Sequence, residues 1–222
     1  MLCHGFLSNK NSKTNKTLTD ILVPQGIATF RFDFFGQGES VGPFEQITVT
    51  TAVRQALAAL DLVKAKGYRR VALVGSSFGG LVALMTAAKN PKLACVALKC
   101  PVSDFPEMLR RAFGEEGIAH WKATDTIPDL TGGSGRITLS YGFYEDCLRH
   151  IGYAPTKSAT APTLIVHGDA DEQVPVEQSR RLTASLGEGL LMSPRPLRKR
   201  VRVRGYLSLR AQRSNLTVFN PL

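Results

Sequence analysis

Two periods of apolar residues alternate along the chain, one suited to helices and one to buried strands. Between Thr48 and Lys66, the apolar positions Val49, Val53, Ala56, Leu60 and Val63 recur four and three apart. That spacing predicts one buried helix face, with Thr48 or Thr50 as N-cap and Gly67 as the stop. The segment Phe78–Ala88 is apolar almost all round, which predicts a central helix covered on every side; Lys89-Asn90-Pro91 ends it. The short runs 71–74 and 93–98 are continuously apolar and 163–166 is apolar after Thr163, as expected of parallel strands covered on both faces. Residues 27–32 read as a further strand leading into a Gly-rich loop at 35–40. A final amphipathic helix is expected over 176–186. The stretch 101–161 is too long for a simple connection and reads as an inserted lid with a helical segment at 143–150. Strand–helix alternation of this kind predicts an α/β architecture, a doubly wound and mostly parallel sheet with right-handed crossovers.

Length and charge narrow the picture. A chain of 222 residues, 43% hydrophobic and 21% charged, is long enough to bury one substantial core. The net charge of +10 is unevenly placed: residues 1–188 hold 20 Lys/Arg and all 18 Asp/Glu, whereas 189–222 hold eight Lys/Arg and no acid. The basic excess therefore belongs to a tail, and a basic face spread over the whole domain is excluded. The expected division is a core over 1–188, containing the lid, and a basic tail over 189–222. No apolar run approaches the ~20 residues of a membrane span, and no basic-then-apolar leader opens the sequence. Cys3, Cys95, Cys100 and Cys147 lie far apart without metal spacing, which fits a reduced, cytoplasmic protein with no metal or organic cofactor.

The candidate chemistry centres on Gly75-Ser76-Ser77-Phe78-Gly79, a G-x-S-x-G motif between an apolar strand and an apolar helix. A serine in that tight turn projects its hydroxyl above the sheet, and the glycines remove side chains that would crowd the turn. Downstream, His167-Gly168-Asp169-Ala170-Asp171 follows another strand. A carboxylate at such a strand end can orient a catalytic imidazole, and Asp171 is the candidate; Asp169 is a candidate for shaping the turn. Near the N-terminus, Cys3-His4-Gly5-Phe6 is placed to aim a backbone N–H at an oxyanion, with the Phe78 N–H as its partner. The His4 ring itself reads as structural.

These motifs, together with Arg31-Phe32-Asp33-Phe34-Phe35-Gly36-Gln37-Gly38-Glu39-Ser40, occur in an order that resembles the α/β-hydrolase superfamily. Within it the chain looks most like the serine aminopeptidase-type group and is similar to bacterial cinnamoyl/feruloyl esterases. The resemblance covers about Leu2 to Leu186. It implies an α/β-hydrolase fold with a lid, Ser77 as nucleophile, Asp171 as triad acid, and the Phe6 and Phe78 N–H groups as oxyanion hole. It also implies a carboxylic-ester hydrolase acting on a small-molecule ester or amide, with peptides and acylglycerols as alternative substrate classes. Trp121, Phe143 and Tyr144 are candidates for lining the substrate pocket.

The sequence departs from that family in three places. The triad histidine is expected after the acid, yet His4, His120, His150 and His167 all precede Asp171. Met1 falls inside the His-Gly strand, so the family's first strands are expected to be missing. The pattern fades after about Gly187, where the basic tail begins. The chain is therefore expected to be a truncated hydrolase with an atypical C-terminus and impaired catalysis. The competing readings are a catalytically dead remnant and an anion- or nucleic-acid-binding module acting through the tail; the tail carries no nucleic-acid-binding motif, and no membrane partner is expected.

Overall fold

The computed structural model describes residues 1–127, 139–154 and 161–186, and the backbone of 216–219. Four parallel strands form the sheet: β1 (Leu2–Cys3), β2 (Ala72–Ser76), β3 (Cys95–Lys99) and β4 (Thr163–Gly168), adjacent in that order. A fifth strand, β5 (Leu216–Phe219), pairs antiparallel with β4. Residues 216–219 of the segment read as a basic tail thus extend the sheet; the rest of that segment lies outside the described residues. The expected strand at 27–32 is not a full strand. It meets β1 through one parallel bridge, Leu2 to Arg31, and one Leu2 N–H to Phe30 C=O bond of 2.9 Å. Among the described residues its neighbour in the sheet is β1, two residues long, which leaves little ladder for it to extend.

Helices α1 (Lys13–Leu22), α2 (Val49–Ala65), α3 (Phe78–Ala88), α4 (Phe105–Thr124), α5 (Gly142–Leu148) and α6 (Val176–Ser185) surround the sheet. Helix α2 begins as expected: the Thr48 hydroxyl accepts the Thr51 N–H at 3.0 Å. It stops where Gly67 takes φ 91°, and the Gly67 and Tyr68 N–H groups cap the Lys64 and Val63 carbonyls. In α3 every residue from Phe78 to Ala87 is buried, in keeping with its all-round apolar sequence. It packs directly on the sheet, where a Cβ on Gly79 would meet the Cys3 and His4 carbonyls, and it is the helix that follows Ser77.

The stretch read as a lid consists, among the described residues, of α4, α5 and their flanks. Its own core is Trp121, fully buried, with its indole N–H donating to the Leu139 carbonyl at 2.8 Å. The lid is clasped to the domain by Asp146. This carboxylate accepts the Thr50 N–H (2.9 Å) and the Thr50 hydroxyl (2.6 Å) at the N-terminus of α2, and Arg149 from its own helix (3.1 Å). The positive end of α2 favours a carboxylate there. Burial works to raise the Asp146 pKa, but hydrogen bonds from His150, Thr50 and Arg149 outweigh it and hold the carboxyl well below the usual range. A depressed carboxylate stabilises the fold above the unfolded-state value near ~4 and loses that contribution as pH falls through the folded-state value. Asp146→Asn is expected to destabilise the protein by about 2 kcal/mol at neutral pH, the scale of a hydrogen bond to a charged group. In urea titrations the gap between variant and wild type should shrink as the pH drops below about 4; a gap independent of pH would show that the ionised form contributes nothing.

Candidate active site

The site is assembled where β2 hands over to α3. Ser77 sits in that turn with φ 52° and ψ −118°, a left-handed conformation uncommon for a residue with a side chain. The surrounding contacts fix it. The Ser77 N–H donates to the Lys99 carbonyl (3.0 Å), and the Ser77 carbonyl accepts the Gly80 N–H (2.8 Å) and the Val102 N–H (3.2 Å). Strain held by its surroundings in this way is a feature of functional turns. Two glycines make the geometry possible. A Cβ on Gly75 would lie 2.2 Å from the Gly79 carbonyl oxygen, and one on Gly79 would lie 2.3 Å from the carbonyl oxygens of Cys3 and His4.

The 4–6 segment runs directly alongside. A Cβ on Gly5 would lie 3.6 Å from the Ser77 Cβ, so the Gly5–Phe6 backbone borders the nucleophile turn. Phe78 is the first residue of α3, and its N–H has no intrahelical acceptor. Behind these two residues the Phe6, Phe44, Phe78, Phe105 and Phe143 rings form a cluster with centroids 5.2–6.3 Å apart where they meet. The His4 ring is buried and structural, as expected. Its Nε2 accepts the Phe34 N–H at 3.1 Å, which leaves Nδ1–H to donate to the Gly5 carbonyl at 2.8 Å. Burial lowers its pKa against the opposing pull of that carbonyl and of Asp33, consistent with the neutral ring this pattern requires.

Asp171 lies in the loop after β4. Its Oδ1 accepts the N–H groups of Gln173 (3.0 Å) and Val174 (2.9 Å), so Asp171 itself does the turn-shaping considered for Asp169. The buried His167 secures the same loop: Nε2 meets the Val174 carbonyl at 2.9 Å and Nδ1 the Ser179 hydroxyl at 2.6 Å. With both ring nitrogens committed, His167 is a structural residue. Cys100, which no sequence pattern marked, adjoins the nucleophile turn. Burial raises its thiol pKa, with the charge of Asp171 acting the same way, while the charge of Lys99 and hydrogen bonding to Ser76 and to the Ser77 backbone oppose it.

Ser77 opens into a cleft of about 540 Å³ walled by Phe6, Phe105, Met108, Leu109 and Val174, with Arg111, Glu172 and Gln173 also on its lining. Part of this wall was legible: Phe105, Met108, Leu109 and Ala112 have the i, i+3, i+4, i+7 spacing of a helix face. The residues expected to line the pocket are elsewhere. Trp121, Phe143 and Tyr144 are buried in the packing of the lid, and the Tyr144 hydroxyl accepts a hydrogen bond from Arg110. Among the described residues none of the three reaches the cleft. Trp121 and Tyr144 pack on each other, whereas the Phe143 ring packs on Phe6, Phe78 and Phe105. A smaller groove of about 310 Å³ is lined by Met1, Phe30 and Val63, away from Ser77, and no carboxylate is on its lining.

All four histidines fall among the described residues, and each is placed away from the nucleophile or already engaged. His4 and His167 are occupied as described, His150 bonds the Thr50 hydroxyl at 2.7 Å, and His120 is exposed on α4.

Comparison with known proteins bears on this arrangement directly. Residues 1–114 match the family described as the alpha/beta hydrolase fold. The chain belongs to the α/β-hydrolase family. The matched span carries the Gly5–Phe6 segment, the Ser77 turn and the first part of α4 in one continuous stretch. Among curated proteins, the mitochondrial palmitoyl-protein thioesterase ABHD10 of Rattus norvegicus is 28% identical over 184 residues, covering 79% of this chain. The α/β-hydrolase chain spans only 59% of that relative's length. Among solved structures, Est1E from Butyrivibrio proteoclasticus with bound ferulic acid is 27% identical, with a TM-score of 0.69, covering 83% of this chain and 74% of that one. Mouse alpha/beta hydrolase domain-containing protein 10 is 26% identical with a TM-score of 0.72, over the same shares of the two chains.

Proposed function

We propose that this α/β-hydrolase is a serine hydrolase of carboxylic esters, with Ser77 as the nucleophile. The observation that carries the reading is the strained Ser77 turn opening into a largely apolar cleft. In the proposed reaction the Ser77 Oγ attacks the ester carbonyl carbon and releases its proton. The carbonyl oxygen takes the negative charge and is held by the Phe6 and Phe78 N–H groups. The C–O bond to the alcohol then breaks, the alcohol leaves with a proton, and water releases the acid from Ser77. Asp171 is the acid that would orient and stabilise a protonated base in this cycle.

The apolar wall supports substrates with an aliphatic or aromatic acyl group, and the relatives named for thioester and ferulate chemistry are consistent with that. Turnover is expected to be poor, because none of the chain's histidines stands beside Ser77 to take its proton. A cytoplasmic setting is part of the same proposal, resting on the four unpaired and dispersed cysteines. The reading is tested with a fluorophosphonate probe on the full chain, followed by peptide mass mapping. Slow labelling at Ser77, absent in Ser77→Ala, is expected. Failure to label under conditions where the protein gives a cooperative melt would sink it.

A further inference from the structure

We infer that Gln178 fixes the separation of the two walls of the Ser77 cleft and, through it, the preference of the cleft for long over short acyl chains. Gln178 is a positioning residue: it is fully buried, does not line the cleft, and acts through the segments it holds. The inference rests on Ser77 being the nucleophile, as proposed above, and adds to that reading a residue that sets its substrate range.

The cleft has one wall on the first half of α4, with Phe105, Met108 and Leu109, and another on the 172–174 loop that leads into α6. Gln178 stands on the first turn of α6 and reaches across to the start of α4. Its side-chain carbonyl oxygen accepts the N–H groups of Ser103 (2.9 Å) and Asp104 (3.1 Å). Its amide nitrogen donates to the Asp104 carbonyl (2.9 Å) and to the Glu107 carboxylate (3.1 Å). Every donor and both lone pairs of the amide are therefore used. The flipped amide would set its N–H groups against two backbone N–H groups, so one orientation alone fits.

These bonds reach both walls and the nucleophile turn. The residue before Ser103 is Val102, whose N–H donates to the Ser77 carbonyl at 3.2 Å. The residue after Asp104 is Phe105, the first wall residue of α4. On the other side, His167 binds the Val174 carbonyl at 2.9 Å and the Ser179 hydroxyl at 2.6 Å, which fastens the loop wall to the turn of α6 that carries Gln178. Arg181, one turn further along α6, pairs with the same Glu107 and lies over the Tyr153 ring at 5.1 Å. The part of α4 held in this way ends at Gly114, where φ 65° and ψ 174° interrupt the helix. The held part is thus the part that lines the cleft, and the half of α4 beyond Gly114 carries the lid core around Trp121.

An apolar side chain at 178 could fill the same space, but apolar contact is not directional and lets one helix slide on another. Four directed bonds in a buried setting do not, because each shift leaves a buried polar group unpaired. A long acyl chain gains only where both walls meet it, so its binding depends on their separation. A short chain that stops near Ser77 depends on it far less.

The test compares two fluorophosphonates that differ only in the alkyl chain on phosphorus, ethyl or octyl, as labels of Ser77 in the full chain. The octyl probe is expected to react faster with wild type. In Gln178→Met, which keeps the volume and removes all four bonds, the octyl-to-ethyl rate ratio should fall by about tenfold, the scale of losing a methylene's contacts in an apolar pocket. Gly67→Ala is the control for lost stability alone: it strains the φ 91° stop of α2, away from the cleft, and should melt lower with the wild-type ratio. Should Gln178→Met not fold, Gln178→Glu serves in its place. It sets a carboxylate against Glu107 and should lower the ratio, and adding Glu107→Gln restores a hydrogen bond between the two positions and should recover part of it. A wild-type ratio in Gln178→Met or in Gln178→Glu overturns the inference, as does a wild type that reacts equally with both probes; in either case labelling at Ser77 leaves the nucleophile reading standing. No labelling of wild type by either probe removes both.

Discussion

This protein is expected to hydrolyse activated esters about a million-fold more slowly than a complete Ser-His-Asp hydrolase, while still labelling at Ser77. Nucleophile and base act as a unit, so losing either one removes nearly all of what the pair contributes; the residue, some 10³–10⁴ over water, comes from oxyanion stabilisation and binding. The structure retains the parts that provide that residue: the Gly5–Phe6 backbone beside the Ser77 turn, the first N–H of α3, and an apolar cleft. A second consequence is less obvious. If the base is already missing, Ser77→Ala removes little further turnover, and the two proteins should differ by less than about tenfold in kcat/KM. Labelling by the fluorophosphonate should nevertheless disappear completely in the variant, since it requires the oxygen itself. The pairing of those two results is diagnostic. A loss of about 10³ or more on Ser77→Ala would mean that a base does operate in this chain, and the assignment of all four histidines to other tasks would be wrong.

The nucleophile turn was readable because its signal is local. Gly75, Ser77 and Gly79 are constrained by backbone approach within five residues, and an apolar strand and an apolar helix flank them on either side. The same holds for α2, whose Thr48 cap and Gly67 stop are chemical signals carried by single residues. What escaped the sequence was set by distant partners. The strand expected at 27–32 has the composition of a strand, but its ladder depends on how many residues β1 offers, and β1 offers two. Helix α4 carries its apolar face at 105, 108, 109 and 112, but Gly114 and Gly117 obscure the period beyond it, and Gly114 takes φ 65° inside the helix. Trp121, Phe143 and Tyr144 announce that aromatic area must be buried; they do not announce against what. The two carboxylates of the 169–171 turn present the same ambiguity. Either has the chemistry to accept backbone N–H bonds, and only the folded loop shows Asp171 doing so.

Gly79→Ala is expected to cause a large loss of stability and to disable Ser77 with it. The new Cβ would sit 2.3 Å from the carbonyl oxygens of both Cys3 and His4 and 2.7 Å from the Cys3 carbonyl carbon. These are backbone atoms of β1 and the segment after it, so no side-chain rotation can relieve the contact. Either α3 moves away from the sheet or the 3–6 backbone moves away from α3. The first option breaks the burial of a helix whose residues from Phe78 to Ala87 are all enclosed. The second shifts Gly5 and Phe6 relative to Ser77, which displaces one proposed oxyanion donor. Overpacking a core typically costs about 1–3 kcal/mol, and a clash with unyielding backbone on both sides belongs at or above the upper end. At about 3 kcal/mol the midpoint of thermal unfolding falls by roughly 6–12 °C for a chain of this size. Gly168→Ala provides the comparison, because a Cβ there meets no atom within 4 Å and its backbone is not left-handed. It should stay within about 0.5 kcal/mol of wild type. Melting curves and fluorophosphonate labelling rates of the two variants separate the causes. A Gly79→Ala protein that melts like wild type but no longer labels would place the damage in the 4–6 segment alone; one that melts and labels like wild type would contradict the close approach of α3 to β1 on which the site is built.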